Sequence, residues 1–337
     1  MLKNEFGKEI AKIMRQSSVQ EYDCIIIGAG ISGLMAAREL VNAGKTILVL
    51  DKGRGVGGRM STRVANNQRF DHGAQVISGT DKEFKTLIDE WCSAGVLKPV
   101  DYPTDESGAY YFCPGGIREL PIYLSKELNV KVNCRVKALR CSMNNWTVIT
   151  DDKEVFKSYS VIMTSPLPQS LELLKNGDST LPGEIAEGLS SVQYEPCIAL
   201  LLNGIAKGEL LNMPFVKPGG ASVSLIINNS AKGVSPEPGA FTIHASREFS
   251  EKYWDFPGEE TIEALLKETG YYIKYESGYL RIHRWKYSRT ISSHHDRCVV
   301  AETPGLIAFA GDGFKGCDIE GAVLSGISAA QEIVRKL

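Results

Sequence analysis

Residues 22–51 read "YDCIIIGAGISGLMAARELVNAGKTILVLD". "YDCIII" is a short apolar run of the kind that forms a buried strand, and "GAGISG" follows it without a break. "LMAARELVNAG" then has helical patterning and stops at Gly44, and "TILVLD" is a second strand closed by Asp51. This strand–turn–helix–strand order carries G-x-G-x-x-G at Gly28, Gly30 and Gly33. Gly28 serves the tight turn, Gly30 lets a pyrophosphate approach the backbone, and Gly33 lets the helix pack on the strand. Ile31 and Ser32 open the helix, where free N–H groups and the dipole favour an anion by about 0.3–1 kcal/mol. Asp51, 18 residues beyond Gly33, is placed to accept hydrogen bonds from an adenosine ribose. A lone glycine triplet could be a structural turn. The ordered set points to a dinucleotide site.

A second glycine-rich stretch, "DKGRGVGGRMSTR" (51–63), follows at once. Ordering so many glycines is costly in backbone entropy. Gly57, Gly58 and Arg59 are suited to wrap the other face of a pyrophosphate with amides and a guanidinium. On composition alone a mobile surface loop is the better reading. The surrounding motifs change that weighting. "GAGISGL", the acid at 51, "GRGVGGRMSTR" and "FDHGAQ" (70–75) together resemble the flavin amine oxidase superfamily, and within it the renalase-like proteins of bacterial type. "FTIHAS" (241–246), "HRWKYSR" (283–289) and "LIAFAGDGFKGCDIEGAVLSGISAA" (306–330) carry the resemblance across residues 22–330. "KGCD" (315–318) departs from the glycine-proline-basic sequence usual there, which touches local loop geometry and leaves Glu320–Gly321–Ala322 intact.

The resemblance implies a noncovalent FAD. Besides the residues above, it assigns Lys52, Met60, His72, Gly73, Ala74, Gln75, Val136, Gly311, Asp312, Glu320, Gly321 and Ala322 to the cofactor site. Asp312 ends the buried strand "LIAFAG" and can hydrogen-bond the ribityl chain or the pyrophosphate region. The helix from about Ile319 is expected to aim its amino terminus at the N1/O2 edge of the flavin. A capped terminal helix is the structural alternative, since aspartate is a common cap.

If both ends of the chain touch one cofactor, the fold is α/β with a discontinuous, Rossmann-like FAD-binding domain of glutathione-reductase type. Residues 22–78, 129–170 and 297–337 are expected to form it. "NVKVNCRV" (129–136) reads as one strand, and "WTVITDDKEVFKSYSVIMTSP" as a hairpin around Asp151–Asp152. Residues 79–128 and 171–296 read as an α+β substrate domain on a mainly antiparallel sheet. Its helices are expected at 81–94, 116–128 and 258–269, with strands at "CIALLLNG", "SVSLIIN", "FTIHAS" and "YLRIHRWKY". Alternation puts Tyr279, Arg281, His283, Trp285 and Tyr287 on one face, with Leu280 and Ile282 on the other. Such a face suits the wall of a cavity for a planar ligand, though a solvent-facing sheet also looks like this. A lone strand histidine such as His244 is more often structural. The resemblance makes His244 and Trp285, with Gln75, the residues that orient a substrate ring.

The renalase-like proteins oxidise 2- and 6-dihydro isomers of NAD(P)H to NAD(P)+ and pass electrons to O2, giving H2O2. An amine oxidase acting on a small amine and a non-catalytic flavin-binding protein are the alternatives. The chain has 337 residues, a formal charge of −2 and 23% charged residues, which suggests neither nucleic-acid nor polybasic membrane partners. No apolar run approaches the roughly 20 residues of a membrane span, and no secretory h-region opens the chain. Eight cysteines without a CxxC pair read as reduced thiols of a cytoplasmic protein. "SSHHD" (292–296) reads as a solvated loop, and no metal is expected. Residues 1–21 are an extension in which Phe6, Ile10 and Ile13 fit a short amphipathic helix.

Overall fold

The computed structural model describes residues 20–100, 109–211 and 213–337. The short helix expected around Phe6, Ile10 and Ile13 lies outside these residues. Strand Glu21–Ile27 sits at the centre of an eight-stranded sheet, and its side chains from Cys24 to Ile27 are all buried. A strand covered on both faces needs a continuous apolar run, which is why "CIII" shows no alternation. Ile47–Leu50 lies parallel on one side and Val155–Met163 on the other. Ile307–Phe309 extends the parallel array beyond Val155–Met163, and Val130–Lys131 closes the opposite edge. Val136–Ser142 and Asn145–Thr150 add an antiparallel meander.

"NVKVNCRV" is therefore two strands rather than one. Asn133 takes φ 52° and turns the chain between Lys131, which pairs with Leu50, and Val136, which starts the meander. The helix expected over 116–128 is also shorter, spanning Glu119–Leu124. Gly116 at φ 107° and Glu127 at φ 66° place left-handed turns at either end.

Helices Ile31–Asn42 and Ile319–Lys336 pack together on one face of the sheet, with Lys82–Ser93 and Glu119–Leu124 in the same apolar core. On the other face Leu167, Leu174 and Leu189 join Trp146, Phe309 and Phe314. The core thus runs past residues 78 and 170, where the sequence suggested boundaries. Amphipathic helices follow the face that buries them, whatever their place in the chain.

The second sheet has the order Phe215–Val216, Val223–Asn228, Ala240–Ala245, Gln193–Ala206, Ile273–Ser292, all antiparallel. Its last strand has 20 residues and its neighbour 14, both longer than their apolar patterns suggested. Three register shifts interrupt their pairing, and bulges of this kind reset alternation mid-strand. Helix Gly258–Thr269 covers the outer face through Leu265. Against the inner face lies Phe70, on the hairpin Thr62–Ala65/Gln68–Asp71, packed on Ala199, Leu201 and Ala240. Among the described residues no helix is long and apolar enough to cross a membrane.

Gly326 marks the tightest helix–helix approach, because a Cβ there would lie 2.1 Å from the Ser32 carbonyl oxygen. Gly326→Ala is expected to destabilise the fold by about 1–3 kcal/mol through overpacking. Gly183→Ala, where a Cβ meets nothing within 4 Å, serves as the neutral control. Thermal melts of both variants check this.

Candidate active site

The first helix begins without a side-chain cap: Gly30 is its N-cap, and its first turn holds no acidic residue. The leading amides of such a helix have no intrahelical acceptor, and a Cβ at Gly30 would meet nothing within 4 Å. Gly33 is the opposite case. A Cβ there would fall 2.0 Å from the Gly28 carbonyl oxygen, so only glycine lets this helix approach its strand. Gly28 itself takes φ 112°. Open space, uncapped amides and a first turn without an acidic residue are the features that fit a diphosphate.

The second glycine loop folds directly onto the first. Gly57 N–H donates to the Ala29 carbonyl at 2.8 Å, and Gly57 bridges Gly30 in parallel fashion. Gly57 and Gly58 have φ 121° and 55°. Arg118 donates from Nε to the Val56 carbonyl at 2.9 Å and so braces the loop from behind. The glycines of 51–63 thus make a backbone-on-backbone cradle. Gly73 continues it, since a Cβ there would lie 1.9 Å from the Arg59 carbonyl oxygen, and Ala74 N–H donates to that same oxygen at 2.9 Å. Met60 and His72 are buried beside it.

Asp51, the acid expected to meet a ribose, accepts with Oδ2 from Ala29 N–H at 2.7 Å and with Oδ1 from Gly53 N–H at 2.6 Å. Each carboxylate oxygen keeps a lone pair for a further donor. Lys52 Nζ donates to Gln169 Oε1 at 2.8 Å. Val136 starts its strand next to Cys134, whose amide donates to the Asp51 carbonyl.

The carboxy-terminal residues behave differently from the sequence expectation. The Arg59 guanidinium is not free for a phosphate: it pairs with both oxygens of Asp312 at 2.5 Å and also donates to the Tyr287 carbonyl at 3.2 Å. Asp312 accepts in addition from Thr290 Oγ1 at 3.1 Å. Glu320 Oε2 caps Thr80 N–H and Asp81 N–H at 2.6 and 2.9 Å, and Gly321 N–H is taken by the Asp318 cap at 2.8 Å. Gly311, at φ 129°, and Ala322 lie in the same turn and helix start. Sequence spacing locates these groups, but cannot show that they satisfy one another.

Trp285, His283 and Tyr279 do share a face, with Leu280 and Ile282 in the opposite core. Trp285 Nε1–H donates to the His72 carbonyl at 2.8 Å, and its ring stacks with His72 at 5.5 Å and meets His283 at 4.1 Å. His72 and His244 are pushed down to about 4, in each case chiefly by burial. For His72 the neighbouring His283 and Arg63 add to it, and for His244 Lys232 does. His283 is lowered by burial and Arg63. The wall is a neutral aromatic surface at ordinary pH.

Gln75 is brought to this wall but does not offer its amide to a ligand. Nε2 donates to the Asp71 and Gly73 carbonyls at 2.8 and 3.1 Å and lies 3.5 Å from His244 Nε2. Its Oε1 accepts from Lys232 Nζ at 3.0 Å. Lys232, Arg63, Arg118 and Thr290 are the site residues that sequence reasoning missed. Lys232 sits in the polar run "NNSAKG", where nothing signals burial. Away from the site, His294, His295 and Asp296 bring ligand atoms within 4.8 Å of one another, with His294 Nδ1 already accepting from Asp296 N–H.

Residues 26–91 match the NAD(P)-binding Rossmann-like domain, and residues 94–203 and 249–334 match the flavin containing amine oxidoreductase family. Renalase of Mus musculus is 25% identical over 336 residues, covering 92% of this chain and 98% of that protein. Putrescine oxidase of Kocuria rosea is 39% identical over 98 residues, 29% of this chain and 20% of that one. Among solved structures, a putative protoporphyrinogen oxidase of Exiguobacterium sp. 255-15 superposes with a TM-score of 0.69 at 13% identity, covering 95% of this chain and 100% of that one.

Two outcomes follow from this geometry. Asp51→Ala removes a charged acceptor worth about 1.5–3 kcal/mol, so FAD affinity measured by fluorescence titration is expected to fall roughly ten- to hundredfold. The histidines act on stability. Unfolded histidine titrates near 6.5, while His72 and His244 stay neutral down to about 4. Their contribution is therefore complete above about pH 6.5 and is lost as pH falls toward 4, because the unfolded chain takes up protons that the folded one refuses. Melts across that range are expected to show a shallower decline in His72→Gln than in the parent protein.

Proposed function

The chain belongs to the flavin containing amine oxidoreductase family and is an FAD-dependent oxidoreductase, and on that premise we propose that it oxidises the 2- and 6-dihydro isomers of NAD(P)H. The products are NAD(P)+ and, from O2, H2O2. FAD, when bound, supplies the hydride acceptor and the path of electrons to oxygen. Gly30, Gly33 and Gly58 would hold it through backbone amides, with Gly28 and Gly57 shaping the turns and Asp51 at its ribose.

One observation carries the choice of substrate: the cation beside the aromatic wall is Arg63, while Lys232 behind it is neutralised by Asp71. Arg63 stands near His72 and His283, and Lys232 near His244. The carboxylate in this region, Asp71, is buried and already paired with Lys232 at 2.8 Å. A protonated alkyl amine entering here meets the like charge of Arg63 and, among the described residues lining the wall, no unpaired carboxylate. A dihydronicotinamide ring is neutral, planar and attached to phosphates, which Arg63 attracts.

The chemistry then asks for positioning. Loss of a hydride from the dihydropyridine leaves an aromatic pyridinium directly, so no side chain has to accept a proton. Trp285 provides an apolar plane for the ring, fixed by its bond to the His72 carbonyl. His244 and His283, held neutral, offer polar contact without adding a positive charge beside the forming pyridinium. Gln75 serves from behind, through its contact with His244.

Mixing the FAD-loaded protein anaerobically with either isomer is expected to bleach the flavin far faster than ordinary 4-dihydro NADH or putrescine does. Trp285→Ala is expected to slow that bleaching about tenfold or more while FAD stays bound, consistent with losing part of a near-attack geometry. Arg63→Ala is expected to raise the dinucleotide concentration needed for half-maximal rate, with a smaller effect on the limiting rate. Faster bleaching by putrescine than by both isomers would replace this reading with amine oxidation.

A further inference from the structure

Lys232 is a fully buried lysine, paired with an Asp71 that is 1% exposed. Its loop is tied to the Asp71 strand independently, since Asn229 Oδ1 accepts Asp71 N–H at 3.1 Å. Asp71 needs no lysine to satisfy its other oxygen: Oδ1 accepts from Thr62 Oγ1 at 2.6 Å and Ile117 N–H at 2.9 Å. Burying an ion pair is a poor source of stability compared with apolar packing. What the lysine adds is direction. Its three hydrogens go to Asp71 Oδ2 at 2.8 Å and to the carbonyl and Oε1 of Gln75, both at 3.0 Å.

An amide whose oxygen is held in this way can face only one way round. Its two hydrogens then go to the Asp71 and Gly73 carbonyls, and the same nitrogen, which has no lone pair to offer, lies 3.5 Å from His244 Nε2. An imidazole N–H aimed at an amide nitrogen finds no acceptor, so a neutral His244 is favoured bare at Nε2, which leaves its proton on Nδ1. With the amide reversed, Gln75 Oε1 would face His244 and draw the ring proton to Nε2.

We propose that Lys232 is a positioning residue that, by holding Gln75 Oε1, fixes His244 as its Nδ1–H tautomer. Its bearing on catalysis rests on His244 lining the substrate site, as proposed above; the tautomer itself does not. Besides Gln75, the groups around His244 are the His72 backbone and Lys232.

The test reads the tautomer directly, with FAD bound and no substrate. Two-bond proton–nitrogen NMR spectra of protein labelled with 15N-histidine distinguish the two ring forms, and the loss of one signal set in His244→Asn assigns it. The parent protein is expected to show His244 protonated at Nδ1 and bare at Nε2. Lys232→Met leaves Asp71 charged and unpaired, so Asp71→Asn/Lys232→Met is made alongside it to remove both charges. In whichever of these retains FAD and a cooperative melt, the Nε2–H form is expected to appear. A parent protein with the proton on Nε2, or an unchanged tautomer in a folded variant lacking Lys232, overturns the proposal. Isomer-driven bleaching is measured separately. A tautomer that shifts in a protein inert to both isomers would leave Lys232 in its role and remove the substrate reading alone.

Discussion

The bidentate pair of Arg59 and Asp312 is the interaction on which the arrangement of the site depends. It joins residues 253 positions apart, one at the end of the second glycine loop and one at the end of strand Ile307–Phe309. Through the Tyr287 carbonyl and Thr290 it also fastens the end of the long strand that bears Trp285. The glycine cradle and the aromatic wall belong to different sheets, and this pair fixes one against the other. Its geometry, two parallel charge-assisted bonds, gives direction as well as energy. Burial and Asp312 together push the Tyr194 phenol up to about 12, so this neighbour of the pair stays neutral.

The first sheet was legible because its central strand and glycine turn obey local rules. Gly28, Gly30 and Gly33 have positions that only a close helix–strand approach requires, and the structure shows that approach at Gly33. The face bearing His283 and Trp285 was legible for the same reason, since strict alternation survives over that part of the strand. Elsewhere local rules fail. Asn133 breaks one apolar run into two strands, and bulges hide the length of Ile273–Ser292. Helix Lys82–Ser93 joins the nucleotide-side core because its Phe84, Ile88 and Trp91 face that way, which no sequence boundary announces.

The charged groups of the site were the least legible. Arg59, Asp312 and Glu320 are each of a type that suits a cofactor, yet each is engaged by a partner far along the chain. Gln75 has its amide engaged between His244 and Lys232, and Lys232 lies in a loop with no sign of burial. Pairing between distant residues is a property of the tertiary fold. Electrostatics of the finished site, with Arg63 beside a neutral aromatic wall and the Lys232–Asp71 pair behind it, likewise emerge only when these groups and the three histidines are assembled. On the proposed reading, the charge of Arg63 is what favours a phosphate-bearing dihydropyridine over an alkyl amine.

Single-turnover stoichiometry addresses this separation most directly. One equivalent of 6-dihydro-NAD, added without oxygen to protein carrying one equivalent of FAD, should bleach the flavin and yield one equivalent of NAD+; admitted air should then restore the colour and release one equivalent of H2O2. Flavin that stays oxidised with both isomers, yet bleaches with one equivalent of putrescine, would show that the site is built for a cation after all.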